Sequence, residues 1–451
     1  MKIAVCVKVI KGEINPFDEA ALECALRLSD DVTVLSMCPK SAESALTPLT
    51  RLGAKVVLLS DSGYAGSDTL ATAYILSEAL KKLTFDLILC GRQSIDGDTA
   101  QVGPMVSQML GIPVITNALK VTCEDGAVRA TTRDGEESAL LPALVTLERG
   151  YVLRFPSIFS KTEPIEYWSN QEVGCDLSRC GLGGSPTRVL KTFENEKGKR
   201  RCQFITMAEL LPLIEDWKAK NREDSKIETQ SDKKLKSVWA VGVEVLEKAS
   251  AIAEEVVLIP KLSPEEIAAR AEKEKPEVIL WNADLWGRKN APIAAAILKT
   301  GLCADCTALE TDGEQFFMYR PAQGGNITAK IKCLTQPQMA TVRTKSESAE
   351  IMVSAGRGVK DILPKVEEFA ASLGAELGAS RGLVDANGAP YERQIGLTGK
   401  MVNPKIYIAI GISGAVHHTC GIEDSGLVIA INPDKDARIF DYADYGILEE
   451  F

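Results

Sequence analysis

KIYIAIGISGAVHHTCGIEDSGLVIAINPD, residues 405–434, decides the fold. Its two apolar runs, Ile406–Ile410 and Leu427–Ile431, are short for helices and rich in β-branched residues. The first ends in Gly411-Ile412-Ser413-Gly414, the second in Asn432-Pro433-Asp434. Such runs read as strands buried on both faces of a parallel sheet. Ligands of these sheets sit at the carboxyl ends of the strands, where glycines let a backbone approach and free N–H groups meet anions. His417 and His418, the two histidines of the chain, follow the first of those ends.

Working outward, the same grammar recurs. From Glu350 come EIMVSAGRGV, a helix over 362–373, AELGASRGLV and QIGLTGK, with glycine, serine or arginine at the ends. The first 110 residues alternate strictly. Strands are predicted at 2–10, 32–36, 55–59 and 86–90, with helices at 19–28, 42–52 and 67–83 and another ending near Leu110. Residues 113–173 are β-rich and carry an arm, GYVLRFPSIFSKTEPIEYW (150–168), before a helix over 207–220. NREDSKIETQSDKKLK (221–236) is almost wholly polar and reads as a linker.

The pattern then restarts, with strands at 238–241, 256–259 and 277–281 and helices at 243–255 and 291–299. Ser263-Pro264-Glu265-Glu266 starts another helix with a cap, an N1 proline and an acidic first turn. Asp86-Leu87-Ile88-Leu89 and Glu277-Val278-Ile279-Leu280 each precede a polar loop, a proline-containing helix (Pro104, Pro292), a glycine (Gly111, Gly301) and a short strand. That is an internal repeat. The fold class is α/β: parallel-sheet nucleotide-binding domains, two of them related, plus a C-terminal Rossmann-like domain. The spacing predicts domains at 1–220, 237–345 and 346–451, with 221–236 as the linker.

A chain of 451 residues is too long for one core. A net charge of −10 argues against a nucleic-acid partner, which demands a basic face. No run approaches the roughly 18 apolar residues of a membrane span. The chain opens on strand-like KIAVCVKVI with no cleavable signal, so a cytoplasmic protein that is not membrane-embedded is expected. Cysteines such as Cys6, Cys90 and Cys333 stand singly in apolar runs, as buried thiols of a reducing compartment do. Cys303 and Cys306 form one CxxC, but no second pair has zinc spacing, and no metal site is expected.

The strand ends carry the chemistry. Arg357 in AGRG and Arg381 in ASRG stand beside glycine or small residues, and a planar guanidinium fork suits the diphosphate of a dinucleotide such as FAD or NAD. Thr398 in GLTGK supplies one hydrogen bond, flanked by Gly396 and Gly399, which let a ring pass close. Ser413 and the N–H groups around Gly414 suit a phosphate or sugar. GxGxxG is absent, so this is not an ordinary Rossmann site, and without GxSxG or an acid near the histidines triad chemistry has little support. An imidazole beside a flavin places positive charge or a donor near the ring carbonyls. The competing reading makes the arginines surface cations and the histidines structural.

VSAGRG (353–358), GASRGLVDAN (378–387), QIGLTGK (394–400), YIAIGISGAVHH (407–418), DSGLVIAIN (424–432) and ADYG (443–446) together resemble the FAD domain of the α subunit of electron-transfer flavoproteins. Residues 300–343 resemble that subunit's own N-terminal domain, which is shorter here by one βα unit. VCVKVI (5–10), NPFDEAALE (15–23), GRQSIDGDTAQVGP (91–104) and GLGGSPTRV (181–189) resemble the β subunit. The chain thus resembles a β–α fusion joined at 221–236.

The resemblance implies FAD contacts from Arg357, Ser380, Arg381, Ile395, Gly396, Leu397, Thr398, Ser413, Gly414, Ala415, Val416, His417, His418 and Asn432. Arg381 and His418 would lie near the isoalloxazine and Thr398 near its N5 edge. Glu450 stands where the family usually has an aspartate near the adenosine. A second adenine nucleotide is implied at Cys6, Asn15, Pro16, Phe17, Asp18, Gly91, Arg92, Gln93, Asp96, Gly97, Asp98, Thr99, Ala100, Gln101 and Val102. Backbone N–H groups and Thr99, rather than the carboxylates of Asp96 and Asp98, would hold its phosphates. It is AMP in ordinary members and a second FAD, oxidising NADH, in electron-bifurcating ones. The loop with Gly97 and Thr99 and the GLGGSPTRV segment look more like the bifurcating group.

Leu397 and His417 replace glutamines of the family. The arm RFPSIFSK (154–161) corresponds to the loop that docks on partner dehydrogenases, with Ile158 as its apolar anchor. The implied function is a flavin electron carrier, without catalysis on a small substrate. It would accept electrons from a flavin-containing dehydrogenase and pass them to a redox acceptor protein. Two rivals stand beside it: a bifurcating flavoprotein, and an adenine-nucleotide sensor without redox function, towards which Leu397 points.

Overall fold

Buried β-branched runs between amphipathic helices assemble into three parallel sheets. The computed structural model describes residues 1–132, 135–194, 200–220, 233–322, 327–344, 350–396, 399–400, 402–422 and 425–451. Two units result. One comprises Met1–Thr192, Thr229–Gln323 and Ala329–Arg343, the other Phe193–Glu228, Gly324–Thr328 and Thr344–Phe451.

In the first unit, one sheet runs in the order Glu166–Trp168, Lys55–Leu59, Asp31–Met37, Lys2–Cys6, Leu87–Gly91, Ala143–Leu147, Val114–Ala118, every neighbour parallel. The chain begins mid-sheet and winds outward both ways. The order therefore reverses between Lys2–Cys6 and Leu87–Gly91, and a crevice opens at their carboxyl ends. A second sheet runs Ala253–Ile259, Leu235–Val241, Val278–Asn282, Gln338–Val342, Leu302–Cys306, again all parallel. It repeats the five strands of the first from Asp31–Met37 to Val114–Ala118, Leu235–Val241 taking the place of Lys2–Cys6 and Val278–Asn282 that of Leu87–Gly91. Each half also inserts antiparallel strands, Ala127–Thr132 with Gly135–Leu140 before Ala143–Leu147 and Ala308–Thr311 with Phe316–Ala322 before Gln338–Val342. The internal repeat is thus topological, and the second half lacks counterparts of Lys55–Leu59 and Glu166–Trp168.

Two equivalent helices join the halves. Val102–Leu110 packs on Leu285–Leu298, and both bury small residues, among them Gly103, Ala291, Ala294 and Ala295. One apolar cluster runs through both halves, from Leu35 and Ile88 to Trp239 and Trp281. Here the structure departs from the expected separate domains at 1–220 and 237–345. Residues 221–232 of the expected linker lie outside the described residues, while Leu235 and Lys236 already belong to a strand.

Two local differences have clear causes. The first helix starts at Pro16 rather than Glu19, because the Asn15-Pro16 pair is its cap and N1. The helix expected over 243–255 stops at Ile252, because residues from Ala253 are drawn into pairing with Leu235–Val241.

The second unit has its own sheet, in the order Gln203–Phe204, Tyr445–Ile447, Leu427–Ile431, Ile406–Ile410, Ile351–Ala355, Glu376–Ala379, all parallel. Its order reverses between Ile351–Ala355 and Ile406–Ile410. There the Gly356 N–H donates to Ile410 O at 2.7 Å, and a Cβ on Gly356 would lie 1.9 Å from Gly411 O. Only glycine fits. The helix Met207–Lys220, expected with the N-terminal domain, belongs to this unit: Leu210 and Ile214 are buried with Ile351, Val353 and Ile406.

A Leu210→Ala substitution is expected to cost about 2–5 kcal/mol. The check is a lower denaturant midpoint for the second unit with an unchanged slope. An unchanged midpoint would mean that the helix contributes nothing to this core.

Candidate functional site

At the carboxyl ends of Lys2–Cys6 and Leu87–Gly91 lies a cavity of about 670 Å³, well within the range of small-ligand sites. Asp18 ties its floor together. One carboxylate oxygen accepts from Lys8 N at 2.8 Å and the other from Gly91 N at 2.9 Å. Burial pushes its pKa up to about 7, against the opposing pull of those N–H groups. Asn15 holds the loop above, donating to Gln93 O at 2.9 Å and accepting from Ile95 N at 3.3 Å. Lys8 Nζ pairs with Asp96 at 2.7 Å and Gln93 Nε2 donates to Asp98 at 2.9 Å, so both carboxylates have protein partners. Gln101 is bonded on both faces, accepting from Thr69 Oγ1 at 2.7 Å and donating to Leu302 O at 3.1 Å. Burial, aided by Asp18, pushes the Cys6 thiol up to about 12, so it is a neutral wall rather than a nucleophile.

In the second unit the ends of Ile351–Ala355 and Glu376–Ala379 lead into Arg357, which is exposed, and Arg381, which is half-buried and donates from Nε to Asp385 at 3.1 Å. A Cβ on Gly382 would lie 3.6 Å from Arg357 Cβ, so the two arginines start from adjacent backbone. Ser380 Oγ accepts from Leu383 N at 3.3 Å as a cap. After Ile406–Ile410, Ser413, Ala415 and His417 face solvent while His418 turns inward, 5 % exposed. Its Nε2 meets Tyr407 OH at 2.8 Å, and Nδ1 has no hydrogen-bond partner among the described residues.

Residues 3–169 and 263–372 match the family model "Electron transfer flavoprotein domain", and residues 346–423 match "Electron transfer flavoprotein FAD-binding domain". The chain belongs to the electron transfer flavoprotein family. It is 40% identical to an electron transfer flavoprotein subunit alpha of Thermoanaerobacterium thermosaccharolyticum, with 40% of this chain and 69% of that relative covered. It is 42% identical to an electron transfer flavoprotein subunit beta of Megasphaera elsdenii, over 43% of this chain and 87% of the relative. An acryloyl-CoA reductase electron transfer subunit beta of Anaerotignum propionicum is 36% identical, over 39% of this chain and 68% of its own length. A β-like part and an α-like part of the family therefore share one polypeptide.

Of the residues expected at the second nucleotide, Cys6, Asn15, Asp18, Gly91, Arg92, Gln93, Gly97, Thr99, Ala100, Gln101 and Val102 line the cavity. Pro16 and Phe17 stand behind it, the Phe17 ring carrying Arg92 at 5.4 Å, and Asp96 and Asp98 brace the loop. The sequence reading missed the opposite wall, residues 37–39, 60–62 and 64–69. The missed signal was available: these are the small and polar ends of the neighbouring parallel strands Asp31–Met37 and Lys55–Leu59. In the second half the equivalent crevice is filled. Trp281 occupies the register position of Cys90 and stacks on Trp286 at 5.5 Å, while Lys261 bonds Glu244 at 2.8 Å and Asp284 at 2.9 Å across the strand ends.

At the FAD-binding domain, Ile395 is buried and Gly396 (φ +123°) lies on the 417–418 backbone, where a Cβ would meet His417 O at 2.0 Å. Gly414 (φ +83°) is pressed on Ile439 N in the same way, at 2.1 Å. These glycines hold the turn that carries Ala415, Val416, His417 and His418. Asn432 does not offer a free amide: it donates to Ile412 O at 3.0 Å and accepts from Asp434 N at 2.9 Å. Glu450 is exposed on the tail beyond Tyr445–Ile447. Leu397 and Thr398 lie outside the described residues. The buried His418 Nδ1 and the glycine-lined strand ends fit the FAD of the family. Among the described residues no cluster of metal-ligating side chains occurs, and no helix is long and apolar enough to cross a membrane.

Of the two roles expected of His418, positive charge or donor, burial disfavours the charge. Burial lowers its pKa to about 4, the Ile395 backbone only partly opposing, so the ring is neutral at pH 7. Because the ordinary value is 6.5, the unfolded chain binds this proton first as pH falls. The stability His418 contributes is complete above about pH 6.5 and is lost towards pH 4, with a slope of at most about 1.4 kcal/mol per pH unit. Denaturation of His418→Gln across this window is expected to show a shallower acid loss than the parent, and parallel curves would refute it.

Proposed function

We propose that the chain is a flavin electron carrier, taking electrons from a flavin-containing dehydrogenase and delivering them to a redox acceptor protein. Bound FAD supplies the redox chemistry, holding reducing equivalents between donor and acceptor. The observation that carries the proposal is the FAD-binding domain match over 346–423, a stretch in which Arg357, Arg381 and His418 each follow a strand of the parallel sheet. The two arginines are suited to the diphosphate. His418, neutral and oriented by Tyr407, serves as a hydrogen-bond donor to the ring rather than as a cation. Ser413, Ala415 and His417 present one exposed edge of the same turn.

In the first unit the cavity takes a second adenine nucleotide, its phosphates on the loop 91–102 with Thr99. AMP is the simpler occupant. A second FAD, which would make the chain a bifurcating protein oxidising NADH, is supported by the long opposite wall through residues 60–69, which extends the cavity beyond the phosphate loop. The β-like and α-like parts meet in the sequence at 221–236. All twelve cysteines are free, which supports the reducing cytoplasm as the compartment.

The arm 154–161 supports protein docking. Phe155, Ile158 and Phe159 are 96 %, 85 % and 85 % exposed. The arm is nevertheless anchored: Arg154 bonds Glu23 at 2.9 Å and Arg51 donates to Ser157 O at 3.0 Å and Ser160 O at 3.2 Å. Apolar side chains held out on a tethered ribbon are poised for a partner.

Denaturing the purified chain and identifying what it releases tests the cofactors. One FAD and one AMP per chain is the expected result, two FAD establishes the bifurcating reading, and a flavin-free chain leaves a nucleotide sensor. For docking, Ile158→Asp is expected to keep its FAD while reduction by a partner dehydrogenase slows at least about tenfold. Unaltered transfer would remove Ile158 from the interface.

A further inference from the structure

We propose that Arg320 positions the nucleotide-binding loop from outside the half that carries the nucleotide. Occupancy of the cavity and packing of the two halves of the first unit then form one linked equilibrium. The inference rests on the reading of the cavity as an adenine-nucleotide site.

Arg320 lies on Phe316–Ala322 in the second half and is 5 % exposed. Its guanidinium bridges the halves, Nε donating to Ala304 O at 2.8 Å and Nη1 to Gly97 O at 2.6 Å. Gly97 lines the cavity. Four residues on, Gln101 makes the reverse connection, donating to Leu302 O at 3.1 Å from the loop. Both anchors reach the same strand, Leu302–Cys306 or its backbone neighbours.

What lies between the anchors needs them. Asp98 (φ 52°) and Ala100 (φ 54°) are both left-handed, a conformation that aspartate tolerates and that is costly for alanine. They flank Thr99, which lines the cavity with Ala100. A strained segment persists only where its surroundings over-determine it. Here the loop's own bonds, Asp98 N to Ser94 O at 2.9 Å and Gln93 to Asp98, are supplemented from the second half at Gly97 and Gln101.

The cationic side of this bracket is built around Asp305. Its buried carboxylate pairs with Arg288 at 2.9 Å and Arg343 at 2.5 Å, and Arg320 is close enough to help hold it ionised. Three guanidinium groups around one carboxylate leave an excess of positive charge, and the Gly97 carbonyl gives Arg320 an acceptor. A ligand that binds the loop in this shape favours the packed halves, and packing favours the ligand by the same factor.

The test uses the full chain with FAD bound in the second unit, dialysed free of the second nucleotide, and titrated with AMP, or with FAD if the parent releases two FAD. Arg320→Met is expected to weaken binding about tenfold or more while FAD per chain in the second unit is unchanged. Arg320→Lys, which keeps the charge beside Asp305 but has no fork to reach both carbonyls, should fall between. Arg343→Met removes a guanidinium from the same carboxylate and leaves the Gly97 bond in place, so it should bind nucleotide as the parent does. Parental affinity in Arg320→Met, or equal weakening in Arg343→Met, overturns the proposal. If Arg320→Met does not fold, Arg320→Lys decides, and parental affinity there overturns it. A parent that binds neither nucleotide overturns the adenine-nucleotide reading itself and this proposal with it.

Discussion

The contact between Val102–Leu110 and Leu285–Leu298 is the constraint on which the first unit depends. Each helix follows the strand at which the strand order of its own sheet reverses, so pairing them brings two equivalent regions of a repeat together, as an isologous interface does between identical subunits. Both helices bury small residues, which is what two backbones need to approach closely. The proline in each, Pro104 and Pro292, sits near the approach without preventing it. Because a loop ends where its helix begins, this pairing also fixes the conformation of 91–101 at one end.

A repeat that packs on itself does not have to keep two sites. Cys90 and Trp281 occupy matching register positions, and the difference in side-chain volume decides what each crevice can do. A thiol leaves space at the strand ends. An indole, stacked on a second indole and roofed by a lysine between two carboxylates, fills it. The second half thereby acts as a support, contributing the Leu302 carbonyl and the Arg320 guanidinium to the loop of the first.

Much of this was legible in the sequence, for a physical reason. Ile406–Ile410 and Leu427–Ile431 were correctly bounded because a strand buried on both faces has few alternatives, and glycines such as Gly356 and Gly411 mark where backbones touch. The internal repeat was visible as well, through its paired prolines and glycines, though not its strand order. What escaped depended on tertiary partners. The apolar face of Met207–Lys220 shows that the helix must be covered, but not by which sheet. Burial of His418, and with it the loss of its charge, follows from packing against Tyr407, eleven residues earlier. Asn15 reads as a cap, yet its side chain is spent on the loop at Gln93 and Ile95.

Joining β-like and α-like parts in one polypeptide changes one quantity and leaves another alone. Covalent continuity replaces a bimolecular encounter with an effective concentration, which reduces the entropy of bringing the halves together. It does nothing for the geometry of 97–101, because a tether carries no information about φ at Asp98 or Ala100. To the loop's own bonds that geometry adds two hydrogen bonds of opposite direction, from Arg320 into the loop and from Gln101 out of it. The tether makes assembly independent of protein concentration, and the bonds bear on the shape of the loop. Loss of either bond would therefore leave a chain that is still covalently joined but whose loop keeps only its own bonds and one of the two from the second half.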